Sequence, residues 1–210
     1  MKAFLVANPK GGSGKSTLAT NLAGYFASKQ LDVMIGDIDR QMSSREWLAM
    51  RPFELPTIET WEIGHDHIAR PPKRATHVVL DTPAGLHGKT LDKILKLSAR
   101  VIVPVQPSLF DMLATRRFLD ALLAEKSVRT GKADVAVIGM RVDARTRAAV
   151  ELERFFETFD LPVLTYLRDT QLYVQAAAAG QSIFDLPPSR VARDLEQWQP
   201  IIEWIESGPE

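Results

Sequence analysis

Three glycines, two lysines and two adjacent hydroxyl residues crowd one short stretch, "ANPKGGSGKST", at residues 7–17. Gly11, Gly12 and Gly14 let backbone N–H groups turn inward and approach an anion with no Cβ in the way. An amphipathic run follows at once: Leu18, Leu22, Tyr25 and Phe26 fall at i, i+4, i+7 and i+8, one face of a helix. The positive end of that helix points back at the loop. The implied chemistry is the cradling of a nucleoside triphosphate. Residues Gly11 to Thr17, Ser13 included, would wrap it, Lys15 would bridge its β- and γ-phosphates, and the Ser16 hydroxyl would ligate Mg²⁺. A glycine-rich turn with solvated lysines is the bland alternative. The apolar strand before the loop and the helix after it weigh against that.

Three carboxylates join this group. Asp37 and Asp39 end the apolar run "VMIGDID", and Asp81 ends "HVVLD". Sheets in α/β proteins gather their ligands at the C-terminal ends of strands. A carboxylate there can hold Mg²⁺ through water. Two acidic residues after a strand also suit the cap of a following helix.

The elements that must position these groups follow from the alternation of apolar runs with helical patterns. Strands are expected at residues 3–7, 33–37, 77–81, 101–105, 135–140 and 163–166. Helical spacing is expected from the glycine loop onward and over residues 110–126, 145–159 and 190–205. Continuous apolar strands separated by helices imply an α/β fold, a mostly parallel twisted sheet with helices on both faces. The 210 residues, 45% of them hydrophobic, suit one domain over 1–210. Residues 51–73, with Pro52, Pro56, Pro71 and Pro72, are expected to form a surface excursion between core strands.

Composition removes several classes. There are no cysteines, so disulfides, thiolate zinc sites and cysteine-held iron–sulfur clusters are excluded. Lysine plus arginine equals aspartate plus glutamate, 26 each, so any nucleic-acid binding must come from a local basic patch. "AFLVA" is too short for the core of a signal peptide, and no run approaches the ~20 apolar residues needed to span a bilayer. A cytoplasmic protein is expected.

The strict phosphate-loop pattern places a glycine where Pro9 stands. The pattern present instead, K-G-G-x-G-K-[ST], resembles the deviant Walker A loop of the ParA/MinD family of ATPases. "GDIDRQMS" resembles the family's D-x-D-P-Q switch segment, "HVVLDTPAG" its Walker B-like strand, and "VIVPVQPSLFDMLA" and "AAAAGQSIFDLPPS" its later segments. The resemblance implies a P-loop ATPase using ATP and Mg²⁺. It implies that Lys10 reaches the phosphates of a partner subunit's ATP, that Asp39 positions the attacking water, and that Asp37 supports the Mg²⁺ shell. Arg141 and Pro187 are carried over as base-side residues. Arg40 departs from the family, where proline is usual, and Ala84-Gly85 is a milder variation.

The resemblance further implies an ATP-dependent homodimer whose use depends on the branch. The iron-protein branch needs cysteines. The membrane-binding branch has a basic amphipathic tail, whereas "DLEQWQPIIEWIESGPE" carries Asp194, Glu196, Glu203, Glu206 and Glu210, so no membrane is expected. Trp198, Ile201, Ile202 and Ile205 are expected to dock on the body. The partition branch remains: a short ParA type without an N-terminal helix-turn-helix, acting in plasmid or chromosome partition or cargo positioning. Such a protein binds non-specific DNA, associates with the nucleoid when ATP-bound, and relies on an adaptor, centromere-binding or cargo protein that stimulates hydrolysis. Arg145, Arg147, Arg168 and Arg190 are the DNA-binding candidates, with Arg116, Arg117, Lys126, Arg129 and Lys132 as a second patch; solvated helix faces are the ordinary alternative. Two competing readings are a metabolic P-loop enzyme, such as an ATP-dependent ligase of the dethiobiotin-synthetase kind, and a nucleotide-gated module in which Arg40 has disabled hydrolysis. The ligase would need an acceptor pocket that no motif suggests, and it would have no use for Lys10.

Overall fold

Side chains alternate faces along the strands, and the alternation sorts the helices into two layers. In the computed structural model, which describes residues 1–64 and 68–207, β1 (Lys2–Val6) sends Ala3 and Leu5 to one core and Phe4 and Val6 to the other. The strands β2 (Val33–Asp37), β3 (His77–Asp81), β4 (Arg100–Val105), β5 (Asp134–Gly139) and β6 (Val163–Tyr166) complete a six-stranded sheet. Its order is β2-β3-β1-β4-β5-β6, and every pairing is parallel.

One face is covered by α3 (Gly88–Leu95), α4 (Leu109–Ala124) and α6 (Arg147–Phe156), through Leu91, Ile94, Leu119, Leu122, Leu152 and Phe156. The other carries α1 (Lys15–Ser28), α7 (Gln171–Ala178) and α8 (Pro188–Glu206), through Leu18, Leu22, Phe26, Tyr173, Trp198 and Ile201. Two short helices, α2 (Ser43–Ala49) and α5 (Lys126–Arg129), and a 3-10 turn at Ile183–Asp185 complete the described elements.

β1 lies between β3 and β4, so the chain leaves it in one direction for β2 and β3 and then crosses to the other side for β4. That reversal opens a crevice at the C-terminal end of β1, the place where such sheets bind ligands. The glycine loop occupies it.

Three expected strands, β2, β3 and β6, have the expected bounds; β4 starts one residue earlier, and β1 and β5 each lie one residue earlier at both ends. Helices α2, α3 and α7 were not expected; at 7 or 8 residues each, they are too short to establish a period. The last helix continues through Pro200, which sits on its exposed side, where the carbonyl left without a donor meets water. Trp198, Ile201 and Ile205 are buried, as expected of a docked segment, and Ile202 is partly so. Glu210 lies outside the described residues.

The excursion after α2 is more integrated than the prolines suggest. Glu59 pairs with β2 at Met34, exchanging backbone bonds of 2.8 and 3.0 Å with Ile35 and Val33. Ile58 is buried, and Trp61 lies against Gly36, where any Cβ would meet the indole at 2.4 Å. Arg51, whose side chain is almost fully buried, makes a two-pronged bridge to Asp185, with both bonds at 2.9 Å. The excursion therefore covers the β2 edge and ties α2 to the 3-10 turn.

Candidate functional site

The glycine loop owes its shape to two residues in the left-handed region. Gly12 (φ +76°) and Gly14 (φ +96°) turn the chain so that α1 starts at Lys15. A Cβ at Gly11 or Gly12 would meet nothing within 4 Å, so it would stand in the cavity beside them. A Cβ on Gly14 would meet the Met140 side chain at 2.7 Å. The loop is braced from four sides. Asn8 donates to the Pro104 carbonyl and to Thr115, at 2.8 and 2.9 Å. Gln106 donates to the Gly12 carbonyl at 2.5 Å, and the Gly85 N–H donates to the Pro9 carbonyl at 3.0 Å.

The backbone of Lys10 is a hub. Its N–H donates to Asn8 Oδ1 at 2.8 Å; its carbonyl accepts from Lys15 Nζ at 2.8 Å and from the Ser13 hydroxyl at 3.2 Å. Its ammonium, in contrast, makes no hydrogen bond or ion pair among the described residues. Burial pushes the Lys15 ammonium below the ordinary lysine range, while the charges of Asp81 and Asp39 work the other way.

A cavity of about 380 Å³ opens on this loop, walled by Gly11, Gly12, Gly14, Lys15, Ser16, Thr17, Asp39, Gln41, Ser43, Pro83, Ala84 and Arg141. Arg141 arrives there on a left-handed turn (φ +53°) after β5. Ser13 is buried, its hydroxyl on the loop backbone, and Pro187 stands at the N-cap of α8, off the wall. A neighbouring cavity of about 400 Å³ shares Asp39, Pro83 and Ala84 and is lined by Arg40, so Arg40 faces this side space. A third, of about 300 Å³, lies by the start of β2 and touches none of these residues.

Asp37 and Asp81 are buried beside the phosphate cavity rather than on its wall. Asp37 acts here as the helix cap that the sequence left open. One of its oxygens accepts from the N–H groups of Ser44 and Arg45 in the first turn of α2, at 2.8 and 3.2 Å; the other accepts from Asp39 at 3.0 Å. Burial raises its pKa against those bonds. Asp81 is pushed up to about 6 by burial, with the Ser44 and Ser16 hydroxyls and Lys15 opposing and Asp37 adding to the rise. Ser44 donates its hydroxyl to Asp81 Oδ2, while Oδ1 is buried with no hydrogen-bond partner.

These features fit a Mg²⁺–nucleotide. The open space at Gly11 and Gly12 has room for phosphate oxygens. The orphaned Asp81 Oδ1, on a carboxyl that resists ionisation, calls for a cation or its bound water. No group of three or more His, Cys, Asp or Glu among the described residues could cage a metal alone, so the ion's remaining ligands would be Ser16, phosphate and water.

The DNA-binding candidates separate in space. Arg145 and Arg147 are exposed beyond the end of β5, Arg145 in a solvated fork with Asp143 at 2.9 and 3.0 Å. Arg190, in the first turn of α8, is exposed and bonded to Gln175 at 2.6 Å. Arg168 differs. It grips the fully buried Asp194 with two bonds, of 2.9 and 2.8 Å, a strut between β6 and α8. The second patch does not join the first: Lys126, Arg129 and Lys132 precede the start of β5, at the opposite end of the sheet, and Arg116 is stacked on Phe155 and Phe159. Sequence reasoning missed Asn8, Gln106, Thr115 and Ser44, which hold the loop and the carboxylates. Only Asn8, a polar residue ending a buried apolar strand, gave a signal.

Residues 4–183 match the model of the CobQ/CobB/MinD/ParA nucleotide binding domain. The chain is 29% identical over 186 residues to the maintenance of carboxysome distribution protein A of Gloeobacter kilaueensis, covering 85% of this chain and 82% of the relative. Its fold is similar to that of the McdA–ATP complex of Cyanothece, with a TM-score of 0.74 and 15% identity over 98% of this chain and 95% of that one. It is also similar to a plasmid partition protein of Borrelia burgdorferi bound to AMPPNP, with a TM-score of 0.71 and 19% identity over 97% and 99%. With the glycine loop in the crevice of a parallel sheet and a family match over most of its length, the chain belongs to the CobQ/CobB/MinD/ParA nucleotide-binding family.

Proposed function

We propose that this protein, read as one ATPase domain over residues 1–210, is an ATP-dependent dimerising switch that binds DNA without sequence preference and positions a cargo. The observation that carries the reading is the Lys10 ammonium, which has no partner among the described residues although its own backbone holds Lys15. A lysine placed in this way is available to a second subunit. Supplied across a dimer, it would add positive charge where a triphosphate is most negative.

Within one subunit, a bound triphosphate would give Lys15 charge-assisted bonds in place of the Lys10 carbonyl. Mg²⁺, held by Ser16 and through water by Asp81, would neutralise phosphate charge. Asp39, on the cavity wall, would position water for hydrolysis. The ATP and ADP forms would then differ in subunit contact, which is the basis of a switch.

The names of the relatives, concerned with carboxysome distribution and plasmid partition, support a positioning role. In the ATP-bound dimer, Arg145, Arg147 and Arg190 from two subunits would track DNA phosphates on the nucleoid, and an adaptor or cargo protein would stimulate turnover. Binding of a random-sequence duplex, measured by fluorescence anisotropy at several salt concentrations, tests this. Tight, salt-sensitive binding is expected with ATP and Mg²⁺ but not with ADP; equal affinity with both nucleotides would contradict it.

A further inference from the structure

Ser44 touches both carboxylates of the site. It is fully buried. Its hydroxyl donates to Asp81 Oδ2, and its backbone N–H donates to Asp37 Oδ2 at 2.8 Å. A carboxylate on a flexible side chain can present either oxygen, and a fixed donor on one of them decides which is left. Here the donor holds Oδ2, and the oxygen left over is the buried, unpartnered Oδ1.

Because Asp37 fixes the first turn of α2, the hydroxyl of Ser44 is itself placed by Asp37. The far end of α2 is secured by Trp47, which donates to the Gln181 carbonyl at 3.2 Å, and by the Arg51–Asp185 bridge just beyond the helix.

We propose that Ser44 is a positioning residue for the metal: it pins Asp81 so that Oδ1 faces the Mg²⁺ hydration shell, and it makes that orientation depend on the seating of α2. The proposal rests on the Mg²⁺–nucleotide reading of the site. Partners that orient a metal-facing carboxylate in this way commonly change metal affinity by about 10- to 100-fold when removed.

The test is Ser44→Ala, which keeps the backbone bond to Asp37 and deletes only the hydroxyl. Binding of a fluorescent ATP analogue is titrated with Mg²⁺ and repeated in EDTA, so the readout is affinity rather than turnover, and thermal unfolding of the nucleotide-free protein is followed alongside. The expected result is an Mg²⁺ requirement shifted upward by about tenfold, with affinity in EDTA unchanged. An unchanged Mg²⁺ titration, or equal losses with Mg²⁺ and in EDTA, would overturn the proposal. Ser44→Cys, close in size and only a weak donor, serves if the alanine variant does not fold, and is expected to fall between alanine and wild type. A wild-type protein whose nucleotide affinity ignores Mg²⁺ would overturn the site reading itself, an outcome distinct from a failure of Ser44 alone.

Discussion

Asp37 and Asp81 are register partners at the C-terminal ends of β2 and β3, two buried carboxyls side by side in a parallel pairing. Asp37 is the better supplied, with three backbone N–H donors; Asp81 accepts from Ser44 on one oxygen and makes no hydrogen bond through the other. The nucleotide-free fold therefore carries the cost of a poorly solvated charge at Asp81.

That cost predicts a stability that depends on pH. The folded-state pKa of Asp81, about 6, stands above the ordinary 3.8. Between those values the folded chain holds a proton that the unfolded chain has released, so stability falls as pH rises from about 4 to about 6. Above that window the penalty is fully present, about 3 kcal/mol. Asp81→Asn keeps an oxygen for Ser44 and removes the charge. Urea unfolding without nucleotide is expected to show the variant more stable than wild type at pH 7.5, the gain shrinking as the pH is lowered toward 4. A gain that does not vary with pH, or a loss, would refute this origin of the shift.

The Arg168–Asp194 strut predicts an asymmetry between its two deletions. Asp194 is fully buried, whereas the Arg168 side chain keeps 28% of its exposure. Arg168→Ala strands a carboxylate with no water, and about 3 kcal/mol of stability is expected to go with it. Asp194→Ala leaves an arginine that can turn toward solvent, and about half that loss is expected. Equal effects, or a larger effect at Asp194, would contradict the strut. Loss of DNA binding in Arg168→Ala must accordingly be judged against its stability.

Arg145 and Arg147 carry no such burden, being exposed at the start of α6. The double change to alanine is expected to leave the unfolding midpoint unchanged. DNA affinity of the ATP-bound form should weaken, with the slope of log affinity against log salt reduced by about 1 for each DNA phosphate that the arginines no longer neutralise. An unaltered salt slope would move the DNA surface elsewhere.

Much of this site was legible because its signals are local. The left-handed Gly12 and Gly14, the helix beginning at Lys15 and the carboxylates at strand ends are each written within a few consecutive residues. What escaped is non-local. Gly24 and Gly36 look like unremarkable residues of a helix and a strand, yet a Cβ at Gly24 would meet Ser182 at 2.1 Å and one at Gly36 would meet Trp61. Asn8 and Thr115, which meet at 2.9 Å, lie 107 positions apart. The cap that Asp37 supplies is hidden for another reason: the helix it caps, α2, is too short to announce itself by periodicity. The prolines of 51–73 hid an edge pairing that a single rung at Glu59 establishes.

Lys10 is proposed to complete the site of a second subunit. Light scattering during size-exclusion chromatography tests it most directly, with Mg²⁺ and either ADP or a slowly hydrolysed ATP analogue, for wild type, Lys10→Ala and Lys15→Ala. Wild type is expected to become a dimer with the ATP analogue alone. Lys10→Ala should bind the analogue with near wild-type affinity yet remain mostly monomeric, while Lys15→Ala should fail to bind the triphosphate. A Lys10→Ala protein that dimerises as wild type does, or a wild type that stays monomeric with every nucleotide, would rule out this role for Lys10.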